Sequence, residues 1–159
     1  MNPFVALLVL AAAVDGLLAG ASLDQSIKQL PARRRMGVPA FSVYSRAADL
    51  ANGVWWYALL GVSGAVLTLA AAGAAIALAL PIVQSAPLAI AMLLAIAHTF
   101  TTVRAAPINF SQRTVGDDEG ALAAIFDRFE RWQTVRAILQ LATFLTVLWA
   151  LAATASLGR

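Results

Sequence analysis

Four long apolar runs constrain this chain more than any motif in it. They cover about residues 4–26, 53–80, 82–105 and 135–156. Each is at or above the ~20 residues that a helix rising 1.5 Å per residue needs to cross roughly 30 Å of hydrocarbon. Backbone groups surrounded by lipid must bond within their own segment, so each run is expected to be a helix. With 61% of residues hydrophobic, 12% charged and a mean hydropathy of +0.80, too little polar surface remains to cover a water-soluble domain. The expected fold is all-α, an integral membrane four-helix bundle forming one transmembrane domain over residues 1–159.

A net charge of +3 would suit nucleic acid, but the basic residues sit where topology wants them. Lys28, Arg33, Arg34, Arg35 and Arg46 lie between the first two runs or at their borders; Arg104, Arg113, Arg128, Arg131 and Arg136 lie in or beside the connection between the last two. The connection between runs two and three, "LPIVQSAP", carries no charge. By the positive-inside rule the basic side is cytoplasmic and both termini are outside, with no nucleic-acid partner implied. The first run lacks a basic leader and is followed by a strongly basic flank, so it reads as a mature helix and not as a signal peptide. With no cysteine, disulfides, thiolate metal sites and cysteine nucleophiles are excluded.

The connections carry their own signals. "GLLAG" places Gly16 and Gly20 one turn apart, a face that suits close helix packing inside the bundle or in a homodimer. Pro31, Gly37 and Pro39 read as breakers, followed by a stretch that suits a short interfacial helix ahead of Asp49. Trp55, Trp56 and Tyr57 read as interface anchors. Pro81 and Pro87 bound a tight turn between runs two and three, and Pro107 reads as the end of the third. After it, Asp117 and Asp118 are candidate caps. Leu122, Ile125, Phe126, Phe129 and Trp132 then recur at helical spacing opposite Asp127, Arg128, Glu130 and Arg131, so residues 119–134 are expected to be an amphipathic cytoplasmic helix extending the fourth span.

Polar residues inside a membrane segment need an interior partner or a hydrated cavity. At about 100° per residue, Asp15, Ser22 and Ser26 share a face of the first helix. Asp49, Asn52, Trp56 and Ser63 share one on the second, His98, Thr102 and Asn109 on the third, and Arg136, Gln140 and Thr143 on the fourth. Most of these groups lie toward the basic side, which implies a pocket opening there with Asp15 at its floor. Ordinary structural pairing, with Asp49 or Asp24 neutralising Arg136 or Arg104, explains part of the set. The parts also suit base chemistry on a lipophilic acidic carbon or phenol. His98 or Asp15 would take the proton, and Arg136 and Asn109 would stabilise the oxyanion. Trp132, Asn52, Trp56, Thr102 and Gln140 are the expected binding residues. One histidine and scattered carboxylates offer no metal-ligand spacing, and haem through His98 would lack a second axial ligand, so no cofactor is expected.

Two stretches carry a family resemblance. "TVRAAPIN" at residues 102–109 and "RFERWQTVRAILQL" at residues 128–141 resemble a bacterial membrane family of unknown function that includes the fungal anthrone oxygenases. Its pattern of Pro-x-Asn after the third span and Trp with Val-Arg at the start of the fourth falls on Pro107, Asn109, Trp132, Val135 and Arg136. Gly20, Ser22 and "QLPARRR" with Pro31 look like its first loop. The resemblance implies a four-span protein of the bacterial inner membrane and, for the fungal members, oxygenation of an anthrone to an anthraquinone. Where fungal relatives carry a histidine between Trp and Arg, this chain has Gln133 and Thr134.

The expected function is a small membrane protein whose cytoplasm-facing pocket binds a lipophilic aromatic or quinone-like molecule, as an oxygenase or oxidoreductase of the anthrone type. The alternative is a non-catalytic accessory subunit, with the Gly16/Gly20 and Gly61/Ala65 faces docking onto a larger membrane complex or a second copy. A transporter ranks last, because no inverted repeat with interrupted helices is present.

Overall fold

A computed structural model describes residues 2–157. Helix α1 (Pro3–Asp24) passes through a π-helical turn at Gln25–Gln29 into α2 (Leu30–Met36). After Gly37, α3 (Val38–Ala47) passes through a second π turn at Ala48–Asn52 into α4 (Gly53–Ala77). Next come α5 (Ile82–Phe110), a short 3-10 turn at Ser111–Arg113, and α6 (Glu119–Leu157). Four of these continuous stretches are long and apolar enough to cross a membrane: Pro3–Met36, Val38–Ala77, Ile82–Arg113 and Glu119–Ser156. In the bundle, α1 packs against α4 and α6, and α5 packs against the same two helices from the other side.

The distribution of side-chain size is that of a protein dissolved in lipid. Ala11, Ala12, Ala71, Ala72, Ala75, Ala91 and Ala150 form much of the core, whereas Leu10, Leu17, Leu59, Val62, Ile76, Leu93, Ile96 and Trp149 point outward. Lipid tails are as apolar as leucine, so helices gain little by hiding large side chains from them; small residues let the backbones approach. Hydroxyls on these helices bond their own backbone: Thr99, Thr143 and Thr154 each donate to the carbonyl four residues earlier. Gly16 is an internal contact, since a Cβ there would lie 3.0 Å from the Phe144 ring, but Gly20 is exposed with nothing within 4 Å.

Of the expected breakers, only Gly37 interrupts the chain. Its φ of +82° lies in a region that glycine enters without steric cost, and α2 and α3 fold back at it. Pro31 is carried inside α2. The wide turn just before it moves aside the carbonyl that a helical proline ring would otherwise strike. Pro39 sits in the first turn of α3, where its missing N–H costs nothing. Residues 38–47 form the short helix expected ahead of Asp49, α3, and run on through the π turn into α4. Pro87 and Pro107 also lie within α5, which continues three residues past Pro107.

At the basic end, Leu30, Phe41, Ala105, Leu122, Phe126 and Phe129 form a second core that joins the α2–α3 hairpin to α5 and α6. Phe41 meets Phe126 edge to face with centroids 5.0 Å apart. Arg33 clamps α2 to α6 through Asp127 and Glu130. Asp118 caps α6 by accepting from the Ala121 amide at 3.0 Å.

The second π turn has a local cause. The Ala48 carbonyl accepts from the Gly53 amide, and a Cβ at Gly53 would lie 2.6 Å from that oxygen. Gly53→Ala is expected to cost about 1–3 kcal/mol by overpacking, read as a lower thermal midpoint in detergent. Gly20→Ala, which meets no atom, should not lower it.

Candidate functional site

A cleft of about 250 Å³ lies at the basic end of the four helices. Leu18, Ser22 and Gln25 line it from α1 and its π turn; Asp49, Leu50, Val54, Tyr57, Ala58 and Gly61 from the second π turn and α4. From α5 come Thr102, Ala106, Asn109 and Phe110, and from α6 Phe129, Arg136 and Gln140. Most of the wall is apolar, with a few polar groups converging from all four helices, the composition of a small-molecule site.

Arg136 is the central charge. Its side chain is 8% exposed, and among the described residues its guanidinium makes one hydrogen bond, a long one of 3.4 Å from Nη2 to Gln25 Oε1. No carboxylate of the described residues lies within 4.0 Å of it, and its buried Nε–H has no partner. Such a donor is stabilised by a ligand oxygen or by water.

The opposite wall is held by a hydrogen-bonded chain behind the cleft. Gln112, fully buried, donates from Nε2 to Asn109 Oδ1 at 2.8 Å, to the Asn109 carbonyl at 3.0 Å and to Ser45 Oγ at 3.2 Å. Its Oε1 accepts from Ser42 Oγ at 3.1 Å, and Ser45 Oγ donates to Asp49 Oδ2 at 2.9 Å. The amide oxygen of Asn109 is thereby occupied, and its Nδ2 donors have no partner among the described residues. Arg113 adds a brace by donating to the Leu50 carbonyl at 2.5 Å. Two donors, Arg136 and Asn109, thus share one cleft with a carboxylate, Asp49, and a phenol, Tyr57. This set can hold an oxygen anion and accept a proton.

Of the residues singled out from sequence, Arg136, Asn109, Thr102 and Gln140 line the cleft. His98 is buried one helical turn beyond Thr102, with Nε2 unpartnered, and is not part of the wall. Asp15 lies deeper still: its Oδ2 accepts from Thr68 Oγ1 at 2.7 Å, and Gly64 packs so closely that a Cβ would sit 2.6 Å from Oδ1. The α1 residue at the floor is Leu18, not Asp15. Trp132 packs into the basic-end core. Asn52 and Trp56 are exposed, because the π turn shifts the inward stripe of α4 by roughly one residue, to Gly53 and Tyr57. Tyr57, read from sequence as an anchor, therefore enters the site, and Asp49 lines it as its place on the inward polar face implied, without the ion pair to Arg136. Asp24 instead bonds Lys28 at 2.5 Å, and Arg104 lies exposed over the Phe100 ring. Gln133 is fully buried, donating to the Ser22 carbonyl at 3.2 Å, behind the wall.

His, Cys, Asp and Glu gather nowhere among the described residues in a group of three able to hold a metal ion. No family model, curated protein or solved structure matches this chain.

Removing the hub of the buried chain tests whether it supports the site. Gln112→Leu strands Ser42 and Asn109, at an expected cost of about 1–3 kcal/mol, read as a lower thermal midpoint in detergent.

Proposed function

We propose that this chain is a multi-pass protein of a bacterial inner membrane, with its basic end in the cytoplasm, that binds a lipophilic aromatic or quinone-like molecule in the cleft. The observation that carries this reading is the buried Arg136, with no carboxylate in contact, facing a largely apolar wall together with the free amide donors of Asn109. The charge distribution of the connections supports the orientation.

We further propose chemistry of the anthrone oxygenase type, which the sequence resembles. An anthrone carries an acidic methylene beside its rings. Asp49 takes one of its protons, and the negative charge passes to the ring oxygen, held by Arg136 and Asn109. The electron-rich carbon then reacts with O₂; methylene plus O₂ gives carbonyl plus water, so no further reductant is consumed. Tyr57, on the same wall, is placed to return a proton. Gln133 lies behind the wall, so the missing histidine of the fungal pattern does not remove a group from this cleft.

The test is O₂ uptake with anthrone by the purified protein, with extraction of any bound lipophile for mass spectrometry. Arg136→Ala and Asp49→Asn should each lower turnover by about 10²-fold, as the loss of an oxyanion donor or base does. Unchanged turnover in both variants overturns the assignment. A protein that purifies only with another subunit, holds no lipophile and consumes no O₂ points to the accessory role.

A further inference from the structure

Where α4 and α5 border the cleft, Ala58 and Gly61 on α4 and Thr102 and Ala106 on α5 are small, beside the larger lining residues Tyr57 and Phe110. Ala58 is exposed, and a Cβ at Gly61 would meet no atom within 4 Å. Around this gap the outward residues are large and apolar, with Leu59 63%, Val62 65%, Phe100 53% and Val103 64% exposed. Side chains of that kind face hydrocarbon. On the α5 side, toward the basic end, Arg104 lies 5.1 Å over the Phe100 ring and Arg113 5.1 Å over that of Phe110. Of these two cations Arg113 is the one at the cleft, stacked on the lining residue Phe110 and bonded to the carbonyl of the lining residue Leu50, with Arg136 inside.

Resting on the binding role of the cleft, we propose that it is filled sideways from the hydrocarbon, through the gap between α4 and α5. Its occupant is an amphiphile with an ionised oxygen head, a phenolate, enolate or carboxylate. The head docks on Arg136 and the Asn109 amide, while the apolar body lies along Val54, Ala58 and Gly61. Charge complementarity selects the head: Asp49, the one carboxylate lining the cleft, is not within 4.0 Å of Arg136, so an anion on the guanidinium gains a charged hydrogen bond about twice as strong as a neutral oxygen makes there. Membrane entry suits the body, because a molecule that partitions into lipid reaches the gap without leaving it.

A photoreactive probe separates the parts of this proposal. The full chain is placed in lipid nanodiscs with a 2-hydroxy-1,4-naphthoquinone whose 3-alkyl tail carries a diazirine, and in parallel with its uncharged 2-methoxy ether. Labelled positions are mapped by peptide mass spectrometry. The hydroxyquinone should label the segments around Ala58, Gly61 and Ala106. Labelling should fall about tenfold or more for the ether and for Arg136→Gln, because a charged hydrogen bond is lost in each. Gly61→Leu, which fills the gap, should give a similar loss, with Ala58→Leu as a second plug should the first fail to fold. Gly20→Leu, the same change on an outer face with equally open space, should label as the unaltered protein does.

Equal labelling by acid and ether overturns the anionic head. Unchanged labelling in a folded plugged variant overturns the lateral route. Either result leaves ligand binding in the cleft standing. If neither compound labels the cleft in the unaltered protein, that parent reading fails as well.

Discussion

A guanidinium held among apolar helices with no carboxylate in contact is the constraint on which the rest of this structure turns. An arginine at the centre of a membrane helix costs about 2.5–3.5 kcal/mol on insertion scales; Arg136 lies nearer the basic end, where the cost is smaller, but its burial still calls for a partner. Among the described residues Arg136 hydrogen-bonds only Gln25 Oε1, at 3.4 Å, with Asp49 elsewhere on the wall of the same cleft. The remaining compensation must come from water or from a ligand. Polar side chains consequently gather at one level on all four helices, and the basic end contains a cleft where the opposite end is filled by alanines.

Regular helices would not put those groups there. Gln25 opens the first π turn and Asp49 lies in the second, so the two longest departures from α geometry occur on neighbouring helices at the level of Arg136. A π turn inserts extra backbone into a helix and rotates the residues beyond it. Here it turns a carboxylate and an amide inward and rotates Asn52 and Trp56 out. On α5, Pro107 removes one backbone hydrogen bond just before Asn109. Three of the four walls are therefore shaped by backbone irregularities, each with a visible cause: Pro31 after the first, Gly53 at the end of the second, and Pro107 itself.

Those causes explain what sequence could and could not reveal. Hydrophobic runs fix four helices because hydrocarbon leaves the backbone no other partner. A 3.6-residue wheel puts Arg136, Gln140, Thr102 and Asn109 on one interior because α6 and this part of α5 keep that period closely enough. It fails on α4 because nothing in "RAADLANG" marks a π turn. Glycine at position 53 is the sole trace, and glycine has many uses. Depth was the other gap. The wheel groups Asp15 with Ser22, but the two are nearly two turns apart, and only the folded bundle shows Leu18 closing the cleft between them. Prolines point in the opposite direction, since Pro31 and Pro107 look like helix ends, yet Pro31 follows a π turn that accommodates it and α5 continues three residues past Pro107.

The deeper polar level serves a different purpose from the cleft. Asp15, Thr68 and Gly64 bring α1 and α4 into close contact, with the Thr68 hydroxyl supplying the hydrogen bond that hydrocarbon cannot. That contact fixes the spacing of the two helices just past the floor of the cleft. At the other end, Gln112 joins Ser42, Ser45 and Asn109. Between these two fixed points α4 is free of polar cross-links, and there it presents Ala58 and Gly61 to the gap facing α5. Among the described residues no side-chain hydrogen bond ties this stretch of α4 to another helix, so the lateral entry proposed above parts apolar contacts alone.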